Sequence, residues 1–410
     1  MPKTHNQLWD AVVSFDNLYA AYIEARDCKR YRPDVLRFTA RLEENLINIQ
    51  NHLIWRTWTP SPWQEFMVYD PKRRLIQAPC FCDRVVHHAL CRVTGPLFDK
   101  KQIYDSHACR VGRGTHSAVA RVQKYLRAAD QIGPVYVLQG DISKYFQSIN
   151  HAAAMRIIAR TISDQSALWM WRQVIYNSGF DVCGIPVGAL TSQVIANLYL
   201  DRFDHYIKDD LGIKGYVRYM DDTVIVANDK RELRHLLERT RDFLATDLSL
   251  RLNPKTAIYP ATQGVDFCGY RIWKTHILPR KRTVKKFRHK MRRMIHQYAR
   301  GEINALSIQQ TLASWMGYIQ HCDGHRTTLG EIERLRWECE KCGVDAAEVL
   351  GWVEGRCDNR IRKNQSPIPP PRPETCIPPR DSPKPDHQAG HCNAKSLGHR
   401  HGQPDPADNK

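Results

Sequence analysis

Residues 1–60 carry apolar side chains at helical spacing: Leu8, Val12, Phe15 and Leu18-Tyr19, then Leu42, Leu46, Ile49 and Leu53. That period predicts helices with one buried face. After residue 63 the pattern changes. Phe66-Met-Val-Tyr69 and Arg74-Leu-Ile-Gln-Ala78 read as two strands around the cationic turn Asp70-Pro71-Lys72-Arg73, and Asp83 to Leu97 returns to the helical period. Val135-Tyr-Val-Leu138 is a short, nearly continuous apolar run, which predicts a buried strand, and it ends at Gln139-Gly140-Asp141. A cap at Ser148 or Asn150 opens a helix with Met155, Ile158 and Ile162 on one face. Gly184 and Gly188 flank Pro186 in a loop whose backbone is able to lie against a flat ligand, and Val194 to Ile207 follows as an amphipathic helix. Gly215-Tyr-Val-Arg and Thr223-Val-Ile-Val-Ala then flank Tyr219-Met-Asp-Asp222. Strand, tight turn, strand is the natural reading, with two adjacent carboxylates at the turn.

Residues 230–250 read as a helix with a charged outer face, and Leu250–Thr256 and Val265–Tyr270 as short strands beside the sheet. Arg280-Lys281-Arg282 leads into Lys285, Lys286, Arg288, Lys290, Arg292 and Arg293 with no acid among them, while Val284, Phe287, Met291 and Met294 form an inward stripe. So many cations repel each other unless something anionic lies against them. Two more helices follow. Ser307-x-x-Gln310 and Thr328-x-x-Glu331 have capping-box spacing, and Leu312, Trp315, Met316 and Ile319 form a buried face. From about Asn359 prolines crowd a segment almost without large apolar side chains, which predicts a disordered tail. Four segments result: a helical N-terminal extension over 1–62, a sheet-containing body over 63–275, a basic helical unit over 276–357 and the tail over 358–410.

Charge narrows the class of partner. With 61 basic and 43 acidic residues the chain carries +18 and a pI near 9.4, a balance that favours a polyanion, nucleic acid first. No apolar run approaches the roughly 20 residues of a spanning helix, so no membrane partner is expected. The N-terminus lacks a signal-peptide core, and the 13 cysteines form no paired framework; both point to a cytoplasmic site with reduced thiols. Cys339-x-x-Cys342, with Cys357 and His321-Cys322 nearby, lacks a second pair at zinc-ribbon spacing, so free helical thiols are expected there.

The chemistry lies in the carboxylates. Asp141 at the end of a central strand is well placed to join Asp221 and Asp222. Three carboxylates around a cavity open to phosphate are what two-metal phosphoryl transfer requires: one ion lowers the pKa of the attacking hydroxyl and the other stabilises the leaving oxygen. Arginines in the 70–74 turn and in His107-Ala-Cys-Arg110-Val-Gly-Arg113-Gly-Thr-His116 supply forked donors for a triphosphate.

At this point the residues resemble a known family. Asp141 with Phe146 looks like motif A of reverse transcriptases and Tyr219-Met-Asp-Asp222 like motif C. Pro71–Pro79 and Arg110–His116 resemble the two fingers motifs, Leu252-Asn-Pro-Lys255 motif D, and Phe267-Cys-Gly-Tyr270 the primer-grip motif E. The resemblance covers residues 8 to about 325. It implies an α+β right-hand polymerase, with fingers and palm of antiparallel sheet plus helices and a small basic helical thumb. It implies an RNA-directed DNA polymerase in which Asp141, Asp221, Asp222 and the Ile142 carbonyl hold two Mg²⁺ ions, with Mn²⁺ as an alternative. Arg73 or Arg74 with Arg110 would neutralise the triphosphate, and Lys255 would protonate the leaving group. Phe146 would exclude a ribose 2′-hydroxyl, and Gly188 and Gln193 would lie against the nascent base pair. Phe267, Gly269, Tyr270, Lys281, Lys285, Arg288 and Arg292 would hold template and primer.

In motif B, Val187-Gly-Ala-Leu-Thr-Ser192-Gln193 departs from the common Q-G-x-x-x-S-P and is similar to the enzymes of diversity-generating retroelements, as are Leu8-Trp-Asp, Asn17–Tyr22 and His107–His116. That resemblance implies copying of a template-repeat RNA into adenine-mutagenised cDNA for mutagenic retrohoming. The partners would be template RNA, cDNA or primer, deoxynucleoside triphosphates and a small basic helical accessory protein oligomer, in a bacterial cell or phage-infected host. The rivals are a group II intron-type, retron-type or defence-associated reverse transcriptase. Val93-Thr-Gly95, a retron mark, falls in the fingers here rather than beyond the palm.

Overall fold

The computed structural model describes residues 4–69 and 73–351. Asp70, Pro71, Lys72, Cys357 and the expected tail over 358–410 lie outside the described residues. Strands β1 (Gln64–Val68) and β2 (Arg74–Ala78) pair antiparallel from Gln64↔Ala78 to Val68↔Arg74. The central sheet joins β3 (Tyr136–Asp141), β4 (Tyr216–Tyr219), β5 (Asp222–Ala227) and β6 (Ala257–Pro260) in the spatial order β4-β5-β3-β6, with every neighbouring pair antiparallel. A smaller sheet holds β7 (Val265–Phe267), β8 (Tyr270–Ile272) and β9 (Ile277–Pro279). Helices cover the central sheet while the β1–β2 hairpin stays largely exposed, giving the expected α+β architecture.

Strand alternation explains why the central sheet reads as continuous apolar runs. Val137, Val217, Val224 and Val226 face the helix Thr115–Asp130 through Ala118, Val119, Val122 and Leu126. Leu138, Tyr216 and Ile225 enter the larger core with Leu233, Leu236 and Leu244 of the helix Lys230–Leu248. A sheet buried on both faces needs apolar side chains at every position, and each buried Val or Leu contributes about 1.5–3 kcal/mol.

The basic unit has its own core. Phe287, Met291 and Ile295 of the helix Lys281–Ala299 meet Ile308, Leu312 and Trp315 of Ala305–Ile319, and Ile332, Leu335 and Cys339 of His325–Lys341.

Local readings shift where a polar group interrupts a pattern. The Leu8–Tyr19 run is two helices, Trp9–Val13 and Phe15–Ala25, because Ser14 turns the chain and caps Asn17; Phe15 and Tyr19 are consequently exposed. Asn150, not Ser148, caps the helix His151–Ala159. The two capping-box expectations fail: Asn304 caps the first helix by accepting from the Ser307 amide, and Thr328 lies inside a helix that starts at His325. Leu250–Thr256 is not a strand. It meets the end of β3 through the Ile142–Leu252 bridge and the hydrogen bonds of Asn253 to Asp141, and regular pairing with β3 begins at Ala257. Cys339 is buried in the helical core, while Cys342 Sγ lies 3.6 Å from His296 Nδ1, so the two thiols face different surroundings.

Candidate active site

Asp141 ends β3 and lies directly opposite Asp222, the first residue of β5. Directly opposed residues of an antiparallel pair project from one face with Cβ atoms roughly 4.5–5.5 Å apart. The Tyr219↔Asp222 pair closes β4–β5 into a hairpin whose two-residue turn is Met220-Asp221. Met220 has φ 56°, a left-handed conformation. For a non-glycine residue this costs about 1–3 kcal/mol, the kind of strain found where geometry serves function.

The electrostatics follow from the crowding. Burial raises the Asp222 carboxyl to about 6, and the negative charges of Asp221 and Asp141 add to the effect. Asp221 is pushed up by burial and by Asp141, while Arg74 and Arg218 pull the other way. Three half-buried carboxylates that repel one another offer hard oxygen donors and a surplus of negative charge, which fits one or more hard divalent cations. Asp141 has a fixed partner: Asn253 Nδ2 donates to its Oδ2 at 2.9 Å and the Asn253 amide to its carbonyl at 2.7 Å.

With this geometry in place, comparison with known proteins decides the class. Residues 70–272 match the reverse transcriptase (RNA-dependent DNA polymerase) family. The chain carries a reverse transcriptase domain. By that domain it is an RNA-directed DNA polymerase, a class that generally uses divalent metal ions.

Relatives of the domain include protein YkfC of Escherichia coli, 26% identical over 277 residues that span 57% of this chain and 72% of YkfC. The group II intron-encoded protein LtrA of Lactococcus lactis is 24% identical over 179 residues, 40% of this chain but only 28% of LtrA. Among solved structures, a Candida albicans telomerase with a telomeric RNA fragment aligns with TM-score 0.45 and 10% identity, over 74% of this chain and 58% of that one.

Around the three carboxylates, the expected nucleotide contacts divide. Arg73 and Arg74 are exposed on the β1–β2 hairpin, and the Arg74 charge reaches Asp221. Arg110 is a correction. Its guanidinium donates to Asp99 Oδ1 at 2.5 Å and to the carbonyls of Ile103, Ser106 and Asp99, and its side chain is 7% exposed. Its donors secure the loop and leave little for a triphosphate. Phe146 packs half-buried beside Tyr145 with ring centroids 5.8 Å apart, and the Phe146 carbonyl accepts from the Ile185 amide. Gly188 is exposed at φ 135°, and a Cβ there would meet Ile76 Cγ2 at 3.0 Å and the Gln77 carbonyl at 3.2 Å. The Gln77 amide donates to the Val187 carbonyl at 3.1 Å, which ties the hairpin to the Gly188 loop. Gln193 is half-buried in the helix Leu190–Tyr199, which starts earlier than the apolar pattern suggests, and Lys255 is exposed.

The expected nucleic-acid contacts divide as well. Phe267 and Tyr270 are each 1% exposed, so their rings are core and only the intervening turn reaches the surface. The Gly269 carbonyl there accepts from Tyr318 Oη at 2.6 Å, and Tyr270 stacks on Tyr318 at 4.9 Å. Lys281 and Lys285 are exposed. Arg288 and Arg292 instead meet carboxylates from the third basic-unit helix, Glu331 at 2.5 Å and Glu338 at 2.9 Å. The acids missing from the cationic helix thus arrive from its neighbour. Lys285→Ala is therefore expected to lower the salt slope of template binding by about 1. Arg292→Ala should change that slope less while lowering the melting temperature; filter binding across a salt series with parallel thermal melts separates the two.

Residues that pattern reading missed lie under the turn: Arg218, Asp204 and Asn197 are all buried. A signal existed. Arg218 shares its strand face with Tyr216 in an otherwise apolar run, and a cation at an inward position requires a buried partner.

Proposed function

We propose that this reverse transcriptase copies a template-repeat RNA into adenine-mutagenised cDNA for mutagenic retrohoming in a diversity-generating retroelement. The polymerase part is carried by one observation: Asp141 opposite Asp222 in register, with Asp221 in the adjoining turn. The retroelement part is supported by the Val187–Gln193 sequence at the hairpin-facing loop. Asp141, Asp221 and Asp222, with the Ile142 carbonyl, would hold two Mg²⁺ or Mn²⁺ ions. Such ions supply charge that acidifies the primer 3′-hydroxyl and stabilises the departing pyrophosphate oxygen.

The chain's own residues do the rest. Arg74 neutralises the triphosphate, with Arg73 beside it, and Lys255 delivers a proton to the leaving group. Phe146 occupies the space of a 2′-hydroxyl, so deoxynucleotides are accepted by exclusion. Gly188 and Gln193 bound the nascent base pair, and a looser fit there lowers fidelity. Lys281 and Lys285 hold the template–primer backbone without reading sequence. Partners of this activity are template RNA, primer or cDNA, deoxynucleotides and a small basic helical accessory protein oligomer, in the cytoplasm of a bacterial cell or phage-infected host. Among the described residues no helix is long and apolar enough to cross a membrane.

The kinship with LtrA favours a group II intron-type enzyme as the second reading. RNA-templated primer extension with Mg²⁺ tests the first, with Asp221→Ala as control. Extension by the wild type alone, with changes clustered at template adenines, is the expected result. No extension by wild type would sink the polymerase assignment, and extension with evenly spread errors would favour the intron-type reading.

A further inference from the structure

The peptide that joins Met220 to Asp221 is held from beneath. Arg218 Nη1 donates to the Met220 carbonyl at 3.0 Å and to Asn197 Oδ1 at 3.2 Å. The guanidinium is gripped by Asp204: Nε donates to Oδ1 at 2.7 Å and Oδ2 at 2.9 Å, and Nη2 to Oδ2 at 2.6 Å. Tyr216 Oη donates to Asp204 Oδ1 at 2.6 Å. Both charged side chains are 0% exposed. Asn197 Nδ2 donates to the Ala108 carbonyl at 2.7 Å, and the Arg218 backbone exchanges bonds with Asp105 and His107. The network therefore links the helix Leu190–Tyr199, the segment Asp105–Ala108 and the carboxylate turn.

Stability alone is a poor reason for such a network. A buried ion pair loses so much hydration that well-packed apolar side chains of similar volume commonly serve as well or better. The pair does, however, fix a carbonyl that an apolar replacement could not hold. Met220 adopts its left-handed conformation without being glycine, so the surroundings must impose it. Orienting the Met220 carbonyl sets the plane of the next peptide and with it the direction of the Asp221 side chain.

We propose that Arg218, braced by Asp204, is a positioning residue for nucleotidyl transfer: it holds the Met220-Asp221 turn so that Asp221 stands beside Asp141 and Asp222. This rests on the polymerase reading of the site. The test replaces the network by apolar groups, Arg218→Met with Asp204→Leu and Tyr216→Phe, and compares it with Arg218→Lys, which retains a cation for Asp204 but lacks the second guanidinium arm.

Folded variants are expected to keep KM for deoxynucleotides within about threefold while kcat falls roughly 10–100-fold, the cost of a misplaced reactive group. They should also need more divalent cation for half-maximal rate. Wild-type kcat in either folded variant would overturn the proposal, and so would failure of both to fold, which would assign the pair to stability. Wild-type protein that extends no primer defeats the polymerase reading instead, so the two failures are distinguishable.

Discussion

Asp222→Asn is expected to abolish most primer extension and yet give a metal-free protein that melts higher than wild type at neutral pH. The carboxyl sits at about 6 instead of 3.8 because burial and the neighbouring Asp221 and Asp141 disfavour its charge. About two pKa units correspond to roughly 3 kcal/mol. Part of that is shared with the other carboxylates, so about 1–3 kcal/mol, or ~2–5 °C, is expected from the substitution. The sign follows from linkage. A carboxyl whose folded pKa is raised contributes stability that is fully present below 3.8 and is lost as pH rises through about 6. The advantage of the Asn variant is thus largest above about pH 7 and shrinks toward pH 4. Thermal melts in chelator across that range measure it, and added Mg²⁺ should raise the wild-type midpoint more than the variant's. Primer extension should fall by about 10²–10³, the loss typical of a removed charge-stabilising group. A variant melting no higher than wild type at neutral pH would show that repulsion at this carboxylate is not stored in the fold.

Gly188→Ala is expected to raise KM for deoxynucleotides about tenfold and to lower stability by about 1–2 kcal/mol. Two effects combine there: φ 135° disfavours any side chain, and the new Cβ would press on Ile76 and the Gln77 carbonyl of the β1–β2 hairpin. That hairpin carries Arg74, so displacing it moves a charge that acts on Asp221. Gly330→Ala is the contrasting case. It lies inside the helix His325–Lys341, where an added methyl group would meet no side chain or distant backbone within 4 Å, so it should gain about 0.5–1 kcal/mol and leave kinetics unchanged. Steady-state kinetics and denaturant titrations on both variants check the contrast; equal KM values would remove Gly188 from the nucleotide site.

Much of the site is legible in the sequence because its parts are local. A strand ending in Asp141 and a hairpin presenting Asp221 and Asp222 are each written in a few consecutive residues, and antiparallel pairing leaves few ways to join them. The β1–β2 hairpin and the amphipathic helices are read from periodicity for the same reason. Pattern reading fails where a residue's role depends on what arrives from elsewhere in the chain. Arg110 looks like a phosphate ligand until Asp99 and three carbonyls take its donors. Phe267 and Tyr270 look like contacts for a primer until the sheet buries them.

Short stretches of sequence name the chemistry: which carboxylates are offered, which strands carry them, and that a strongly cationic chain suits a polyanion. Those follow from short-range spacing and from charge, which no fold alters. Packing settles which cations remain available and what holds the Met220-Asp221 turn. Arg288 and Arg292 are paired only because a helix more than 40 residues away brings Glu331 and Glu338 alongside. Arg218 grips Met220 only because Asp204 neutralises it in the core. Desolvation makes such pairings obligatory, and burial is a property of the packed chain rather than of any stretch within it.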